Sequence, residues 1–238
     1  MTAVRAIPLL HGLGLWSDLT AREGPAQMAC DEALLQDATH PVLRIFRWTR
    51  PWVSAGYFVP WAEAAAVRPD LPVCRRWTGG GVVVHEGDLT FSLVVPRGEP
   101  WACLRPAESY QQLHEALSGA LRSLGVAAGL SDEAEPAGRE CFARPVRHDI
   151  LSAGKKIAGG AQRRTKAGLL HQGSIQVASL GAEAAQVIGE ALAGSIFPWV
   201  PPPTLESAIS GLVASKYGRE DFIQGSGVKA GPNPDRGG

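Results

Sequence analysis

The residues best suited to covalent chemistry lie between positions 139 and 166. This stretch holds eight lysines and arginines against two acidic residues, and it also holds Cys141. A positive charge within about 4–6 Å lowers the pKa of a thiol by about 1–3 units, which favours the thiolate. Cys141 is therefore a candidate nucleophile. Cys30 and Cys74 lie in apolar helix and strand patterns instead, where a cysteine is typically a small core residue.

Two adjacent lysines follow Cys141 in the segment GKKIAGGAQRR, residues 154–164. Glycines flank this short predicted strand, and side chains alternate between the two faces of a strand. Lys155 and Lys156 therefore point to opposite faces, so that one of them can be buried in a site. A solvated basic hairpin is the alternative interpretation. The positive charge of this stretch would also suit docking of an acidic partner.

A run of three glycines, Gly79 to Gly81, is the second candidate site, and it follows Arg75 and Arg76. Such a run costs backbone entropy that a plain turn does not require. Its peptide N–H groups can point at an anion, and the two arginines could clamp the charge. A bulge or corner between two strands is the alternative. His85, at the end of the strand that follows, is interpreted as a hydrogen-bonded structural histidine.

Hydrophobic spacing and turn residues predict the elements that carry these sites. The predicted helices are 25–38, 61–68, 107–124, 181–194 and 204–217. The predicted strands are 41–48, 52–58, 82–84, 89–95, 149–152, 156–163 and 169–177. We expect the first two strands to pair with each other, and 82–84 to form a hairpin with 89–95. The lack of a regular βαβ alternation indicates an α+β fold, a mixed β-sheet with flanking helices.

The chain is expected to form one domain over residues 1–218, with a stiff connector at 197–203. The segment 219–238 is rich in glycine and proline and is predicted to be a flexible C-terminal tail.

Composition narrows the classes of protein to which the chain can belong. The 238 residues carry 23 basic and 23 acidic side chains, so no net field holds a nucleic acid or an anionic membrane. The N-terminus is a poor secretory signal, and no apolar run reaches the ~18 residues of a membrane span. Four scattered cysteines support neither disulfides nor a zinc site. We expect a cytoplasmic protein that binds no nucleic acid, membrane or metal.

Several of these segments together resemble the lipoate-protein ligase and octanoyltransferase family. The matching segments are QMACDEALL, VLRIFRWTRPWVSAGYF, RRWTGGGVVVHEGDLTFS, CFARPVRHDILSAGKKIAGGAQRR and LLHQGSI. The resemblance covers roughly residues 5–215. It implies the catalytic domain that this family shares with biotin protein ligases, which is related to class II aminoacyl-tRNA synthetases. It also implies a role in protein lipoylation.

The resemblance leaves two activities open. In octanoyltransferases of the LipM type, which need no cofactor, a loop cysteine carries the acyl group as a thioester and a lysine lowers its pKa. Cys141 and Lys156 match these two catalytic positions. In ATP-dependent lipoate-protein ligases, which use ATP and Mg, the same lysine contacts acyl carboxylate and phosphate. The candidate substrate-binding residues under either activity are Arg76, Gly79, Gly80, Gly81, Val82, Val83, Val84, His85 and Gly159.

The transferase is favoured because many ligases carry an accessory domain that this chain is expected to be too short to hold, although some ligases use a separate accessory subunit. A transferase would move an octanoyl or lipoyl group from a carrier-protein thioester through Cys141 to a lysine of an acceptor. The implied donor is octanoyl-acyl carrier protein, or free lipoate for a ligase. The implied acceptors are lipoyl-accepting domains such as glycine cleavage H protein or 2-oxoacid dehydrogenase acyltransferase subunits. A lipoyl-domain binding protein without catalytic activity is a third possibility. An apolar slot for the acyl tail is expected near Val83 and Leu93.

Overall fold

The computed structural model describes residues 8–132 and 145–225. The strands are β1 (Leu10–Asp18), β2 (Val42–Phe46), β3 (Trp52–Ala55), β4 (Val73–Arg75), β5 (Val82–His85), β6 (Leu89–Pro96), β7 (Gly129–Leu130), β8 (Ile150–Ser152), β9 (Lys155–Arg164), β10 (Gly168–Ile175) and β11 (Ala193–Pro198). The α-helices are α1 (Gly24–Asp37), α2 (Trp61–Val67), α3 (Pro106–Ser123), α4 (Ala184–Leu192), α5 (Leu205–Leu212) and α6 (Glu220–Gln224). A 3₁₀ turn spans Pro100–Cys103, and a π-helical turn, Val213–Tyr217, continues α5.

The strands form one large and one small sheet. The large sheet has eight strands in the order β11-β1-β2-β6-β10-β9-β8-β7, and the small sheet has the order β4-β3-β5. In the large sheet β1 runs parallel to both β11 and β2, whereas the remaining neighbours are antiparallel. The mixed sheet with flanking helices confirms the predicted α+β fold.

Alternating side chains of β6 show how the large sheet divides the core. Leu89, Phe91, Leu93 and Val95 face a cluster that includes α3 and α4. Val94 faces the opposite cluster, which is formed with α1 and α5. A strand buried on both faces lacks the clean polar alternation of a half-exposed strand, which is why β6 has the continuous apolar sequence LVV.

Two predicted strand pairings are wrong. β2 belongs to the large sheet and β3 to the small one, so the two do not pair. β5 and β6 are likewise split between the sheets and form no hairpin, although a tight turn at Gly87 with φ of +90° does connect them. The predicted turn between residues 85 and 89 is present, but it connects strands that belong to two different sheets. Local sequence does not distinguish these outcomes, because the partner strands are distant in the chain.

Two strands at one edge of the large sheet were not predicted. β1 lies in the N-terminal stretch, for which we predict no strand and only argue against a secretory signal. β11 overlaps the predicted connector 197–203 and pairs with β1, from Leu10 opposite Ala193 to Leu15 opposite Pro198. Prolines confine a strand to a sheet edge, and β11 lies at that edge.

The chain remains ordered past the predicted boundary at residue 218. Part of the expected tail forms α6, and the Nε of Arg75 donates a hydrogen bond to the Ile223 carbonyl at 2.9 Å. The rest of the tail, residues 226–238, lies outside the described residues. None of the described helices combines the length and the apolarity required to cross a bilayer.

Candidate active site

A cavity lies between the two sheets, where β9 and β10 face the small sheet and the glycine run. Its walls comprise Met28, Trp48, Ser54, Arg76, Gly80, Val83, His85, Thr90, Lys156, Gly159, Gly160, Ala161, Gln172, Gly173 and Ser174. Six of the predicted site residues are among them, contributed by two separate segments of the chain, 76–85 and 156–159. The fold therefore brings the glycine run and the lysine strand, which are about 75 residues apart, to one cavity.

Lys156 is held at the cavity by a buried carboxylate. Its Nζ lies 2.8 Å from Asp149 Oδ2, and the two side chains are 5% and 0% exposed. Tyr110 donates its hydroxyl to Asp149 Oδ1 at 2.7 Å and accepts a hydrogen bond from the Gly160 amide. Lys155, in contrast, is exposed, as strand alternation predicts. Buried charges require such pairing and hydrogen bonding, so this network fixes where the ammonium group can be.

Gly159 makes room for that lysine. A Cβ at this position would lie 2.5 Å from Lys156 Cε and 2.9 Å from Asp149 Oδ1. Such distances are far below van der Waals contact, so any side chain here would displace the lysine or its carboxylate. The position of the Lys156 side chain therefore depends on the absence of a side chain at Gly159.

Arg76 shapes the glycine run rather than acting as one half of an arginine clamp. Its guanidinium donates to the carbonyls of Gly79 and Gly81, at 3.1 and 2.9 Å, and to the Ser54 carbonyl at 2.8 Å. Arg75 does not line the cavity, because its guanidinium is directed to the carbonyls of Gly56, Tyr57, Val59 and Ile223. The expectation that both arginines clamp one anion is therefore wrong.

His85 is a buried, hydrogen-bonded histidine, as its sequence context suggests. Its Nδ1 lies 2.8 Å from Asp88 Oδ2, and its Nε2 lies 2.7 Å from Ser54 Oγ. Burial raises the pKa of Asp88, but His85 and hydrogen bonds from Ser174 and Thr90 outweigh it and hold that pKa below its ordinary value. The carboxylate therefore stays charged and fixes the imidazole.

The Ser54, His85 and Asp88 side chains match the hydrogen-bond order of a serine-hydrolase triad. Ser54, however, has no solvent-exposed surface, and its Oγ also accepts a hydrogen bond from Arg76 at 2.7 Å. A nucleophile must be reachable by its substrate, so this chain of groups does not serve as a triad. It instead links Asp88 to Arg76, and through Arg76 to the glycine run.

The valines after the glycine run divide by strand alternation. Val83 lines the cavity, whereas Val82 and Val84 pack into the small core cluster beside β3 and α2. Leu93, expected in the acyl slot, lies instead in the large core on the far face of the sheet. Among the described residues, the apolar side chains in the cavity wall are those of Met28, Trp48, Val83 and Ala161.

Sequence reasoning missed several residues of the site. Gln172 lines the cavity, accepts a hydrogen bond from Thr78 at 2.7 Å and donates to Asp31 at 2.6 Å. Asp149 and Tyr110 were not identified as partners of Lys156. Each lies in a different element from the group it contacts, so no spacing rule along the chain links them. The one available signal was that Asp149 is one of only two acidic residues within the basic stretch 139–166.

The cysteines differ sharply in their surroundings. Burial raises the pKa of both Cys30 and Cys74 to about 12, which makes them inert core thiols as predicted. Cys103 is exposed and lies outside the cavity. The proposed nucleophile Cys141 lies outside the described residues. Within the described part of the chain, no cluster of three or more histidine, cysteine or acidic side chains could hold a metal ion.

Comparison with known proteins places this geometry in a family. The model for the lipoyl protein ligase A/B catalytic domain matches residues 23–194. Octanoyltransferase LipM of Carboxydothermus hydrogenoformans is 35% identical over 164 residues, which cover 65% of this chain and 61% of that protein. Octanoyltransferase LipM of Oceanobacillus iheyensis is 32% identical over 170 residues, which cover 66% and 61%. The matched region thus spans about three fifths of each relative.

A solved structure shows the same fold. A lipoate protein ligase from T. acidophilum, described as putative and solved with bound lipoic acid, superimposes with a TM-score of 0.73 at 23% identity. The match covers 91% of this chain and 99% of that one. Because the family model covers most of the chain, including the glycine run and Lys156, the protein belongs to the lipoyl protein ligase A/B catalytic domain family.

Proposed function

We propose that the protein is an octanoyltransferase of protein lipoylation, which carries the acyl group on Cys141. The observation that carries this proposal is the buried Lys156, which Asp149 holds against the cavity wall fifteen residues after Cys141. An ammonium group at that place would stabilise a nearby thiolate and the oxyanion that forms during acyl transfer. The similarity to LipM octanoyltransferases supports the same activity.

The reaction has two steps. The Cys141 thiolate attacks the carbonyl carbon of an octanoyl thioester on acyl carrier protein, the bond to the carrier's sulfur breaks, and that sulfur leaves as a thiol after taking up a proton. The amine of an acceptor lysine then attacks the Cys141 thioester. The bond to Cys141 breaks, an amide forms, and the amine releases a proton that balances the one taken up by the carrier's sulfur, so that the Cys141 thiolate is regenerated.

Chain geometry allows this assignment. Asp149 Oδ2 accepts a hydrogen bond from the Val146 amide at 2.7 Å and also pairs with Lys156 at 2.8 Å. One carboxylate therefore ties the backbone of residue 146 to the lysine. Cys141 lies five positions before Val146, and a chain of that length can span at most about 17 Å. This length is compatible with the role that we propose for the Cys141 thiol at the cavity.

The acyl chain would occupy the apolar part of the cavity beside Met28, Trp48 and Val83. Burying about seven methylene and methyl groups at ~0.8 kcal/mol each would contribute roughly 5–6 kcal/mol. That is enough to favour a medium-length chain, although each single methylene is discriminated only modestly. Lipoyl-accepting domains are the proposed acceptors, and the transferase would need no ATP or metal. The free thiols of Cys30 and Cys74 fit a reducing cytoplasm.

Intact-mass measurement tests the proposal directly. Octanoyl-acyl carrier protein is mixed with the protein without ATP, and an octanoyl increment is expected on wild type and on Cys103→Ser, a control that removes an exposed thiol. The increment should vanish in Cys141→Ser, and its rate should fall at least tenfold in Lys156→Ala. Full acyl transfer by Cys141→Ser would exclude the thioester mechanism.

An ATP-dependent lipoate-protein ligase is the second candidate, favoured by the glycine run that Arg76 holds at the cavity. This activity would require ATP and Mg, and it would form lipoyl-AMP from free lipoate. The same mass experiment therefore includes an arm with lipoate and ATP. Pyrophosphate release in that arm, together with no acyl-enzyme in the carrier arm, would establish the ligase instead.

A further inference from the structure

Arg163 lies on β9, two residues beyond the cavity residue Ala161, and it packs against two aromatic rings. Its guanidinium lies 5.2 Å from the ring centre of Tyr57 and 5.1 Å from that of Trp77. Among the described residues, no acidic side chain forms an ion pair with it. Aromatic rings hold a guanidinium in place without neutralising its charge, so Arg163 remains able to bind an anion.

The position of Arg163 relative to the cavity follows from strand geometry. Gly159 and Ala161 line the cavity, and Arg163 is the next residue of β9 on the same face, about 7 Å beyond Ala161. Trp77 directly follows the cavity residue Arg76, and the Tyr57 amide donates to the carbonyl of Thr78 at 2.9 Å. Arg163 and both rings therefore lie where the glycine run meets β9.

The neighbouring Lys216 differs from Arg163 because it has an acidic partner. Its Nζ also lies over the Trp77 ring, at 4.5 Å, but it is paired with Glu32 at 2.5 Å. The pair Lys216 and Glu32 contributes no net charge. Tyr57 and Trp77 form an aromatic platform, and Arg163 is the cation on it with which no acidic side chain of residues 8–132 and 145–225 pairs.

We infer that Arg163 and this platform bind the phosphate of the donor's phosphopantetheine arm. The inference rests on the proposed octanoyl transfer and deepens it, because it names the part of the donor that the enzyme recognises outside the acyl chain. Guanidinium groups bind phosphate oxygens through charge-assisted, often bidentate hydrogen bonds. The apolar part of the arm would lie across the rings.

The spacing along β9 fits the length of such an arm. Arg163 lies seven residues after Lys156, and because a bulge near residue 157 takes up one of them, the two residues are about 20 Å apart along β9. An extended chain advances about 3.5 Å per three bonds, so the roughly thirteen bonds from thioester sulfur to phosphorus span about 15 Å. The distance along β9 exceeds the length of the arm, and the Lys156 and Arg163 side chains, each several ångströms long, span this difference. A thioester near Lys156 thus places its phosphate near Arg163.

Calorimetric binding of two unreactive analogues tests the inference with the full-length protein. S-octyl-4′-phosphopantetheine and S-octyl-pantetheine differ only in the phosphate, and neither can transfer an acyl group. Wild type should bind the phosphorylated analogue about tenfold more tightly at low salt. Arg163→Gln should reduce this preference to less than twofold, and Arg163→Lys should retain part of it, which shows that a loss in the glutamine variant is not a folding defect.

Arg50→Gln is the matched control. Arg50 also lies over an indole, 4.9 Å from Trp52, but it pairs with Glu23 and lies outside the cavity. This variant should keep the tenfold preference. No preference in wild type, or a preference that survives Arg163→Gln, would overturn the inference. Binding of ATP that requires Arg163, with no preference between the analogues, would assign the anion site to a nucleotide instead.

These outcomes are separate from those of the proposed function. Octanoyl-pantetheine carries no phosphate and should still acylate Cys141, so a missing mass increment with this donor contradicts the transferase and not the phosphate site. Equal affinity for the two analogues contradicts the phosphate site and not the transferase.

Discussion

Gly159 contributes to the site because it has no side chain and so leaves room for Lys156. Its Cα lies so near Lys156 and Asp149 that the lysine occupies the space in which a Cβ would lie. A substitution there acts on the lysine's position without changing any charge. It therefore separates the effect of position from the effect of charge, which replacing Lys156 itself cannot do.

We expect Gly159→Ala to lower the rate of acyl transfer at least tenfold and to lower the melting temperature as well. The added methyl group would displace the Lys156 ammonium group from Asp149, and separating a buried ion pair costs stability. Single-turnover acylation and thermal melting are the measurements. Gly129→Ala is the control, since a Cβ there would meet nothing within 4 Å. Unchanged acylation in Gly159→Ala would show that the lysine's position is not important.

Tyr110→Phe should destabilise the protein by about 1–2 kcal/mol, because it leaves Asp149 Oδ1 and the Gly160 amide without their shared hydroxyl. Urea denaturation measures this value. Tyr57→Phe, whose hydroxyl makes no hydrogen bond among the described residues, should change stability by less than about 0.5 kcal/mol. Equal losses in the two variants would contradict the role assigned to Tyr110.

At the residue scale, sequence reasoning succeeded where a local rule applied. Strand alternation correctly predicted that Lys155 and Lys156 point to opposite faces, and apolar context correctly predicted buried thiols at Cys30 and Cys74. It failed for Arg75, whose acceptors lie on β3, the following loop and α6. Which carbonyls an arginine reaches depends on tertiary packing, and no local pattern encodes that.

At the scale of elements, the contact between α3 and β10 buries titratable side chains that the proposed mechanism does not use. Tyr110 and His114 of α3 pack with His171 of β10, with ring centres 4.0–5.5 Å apart. Burial lowers the pKa of His114 to about 4, and burial together with His114 lowers that of His171 well below its ordinary value. The two histidines are therefore neutral in the folded protein at neutral pH.

This contact predicts a loss of stability in mild acid. Below pH ~6.5 the histidines of the unfolded chain become protonated, whereas the buried imidazoles of the folded protein stay neutral. The free energy of unfolding should therefore fall as the pH drops from about 6.5 to about 4. His114 alone accounts for about 3 kcal/mol over that range. Urea midpoints between pH 4.5 and 7.5 measure the slope. His114→Gln should flatten it, whereas His11→Gln, at an exposed position, should leave it unchanged. An equally steep slope in His114→Gln would contradict this account.

Element identity was more predictable than element pairing. The long helix α3 ends at Ser123, just before Gly125, as its spacing and the glycine indicate. The strand at 82–85 was also found, but its partner β3 lies about 30 residues away and was not. Turn residues indicate where the chain reverses, but they do not indicate which strands pair. Which sheet receives the next strand depends on pairing between residues distant in the chain, such as Val84 opposite Val53.

At the scale of the whole molecule, zero net charge conceals a separation of charge. Residues 139–166 carry a net charge of +6, and the rest of the chain carries −6. Within this stretch, Arg147, Lys155 and Lys166 are exposed. If the proposed donor is an acidic carrier domain, a patch of exposed positive charges such as these three would favour its docking at short range, although the molecule has no net field at long range.

Salt should therefore weaken the use of a protein-borne donor. Raising NaCl from about 50 to 300 mM should lower kcat/KM with octanoyl-acyl carrier protein at least threefold, mainly through KM, because exposed charges are screened within a Debye length. Octanoyl-pantetheine, an uncharged donor, should show little change. A triple variant with glutamine at positions 147, 155 and 166 should lose most of the salt dependence. An equal salt effect on both donors would contradict docking at this patch.

The adjacent residues Arg75 and Arg76 act on opposite sides of one short strand end. Arg75 grips the Ile223 carbonyl of α6, while Arg76 grips the carbonyls of the glycine run. Because Arg75 and Arg76 are adjacent in the chain, the end of β4 holds both the backbone of α6 and the glycine run at the cavity. The last described helix of the chain is thus attached to the cavity wall through one pair of neighbouring arginines.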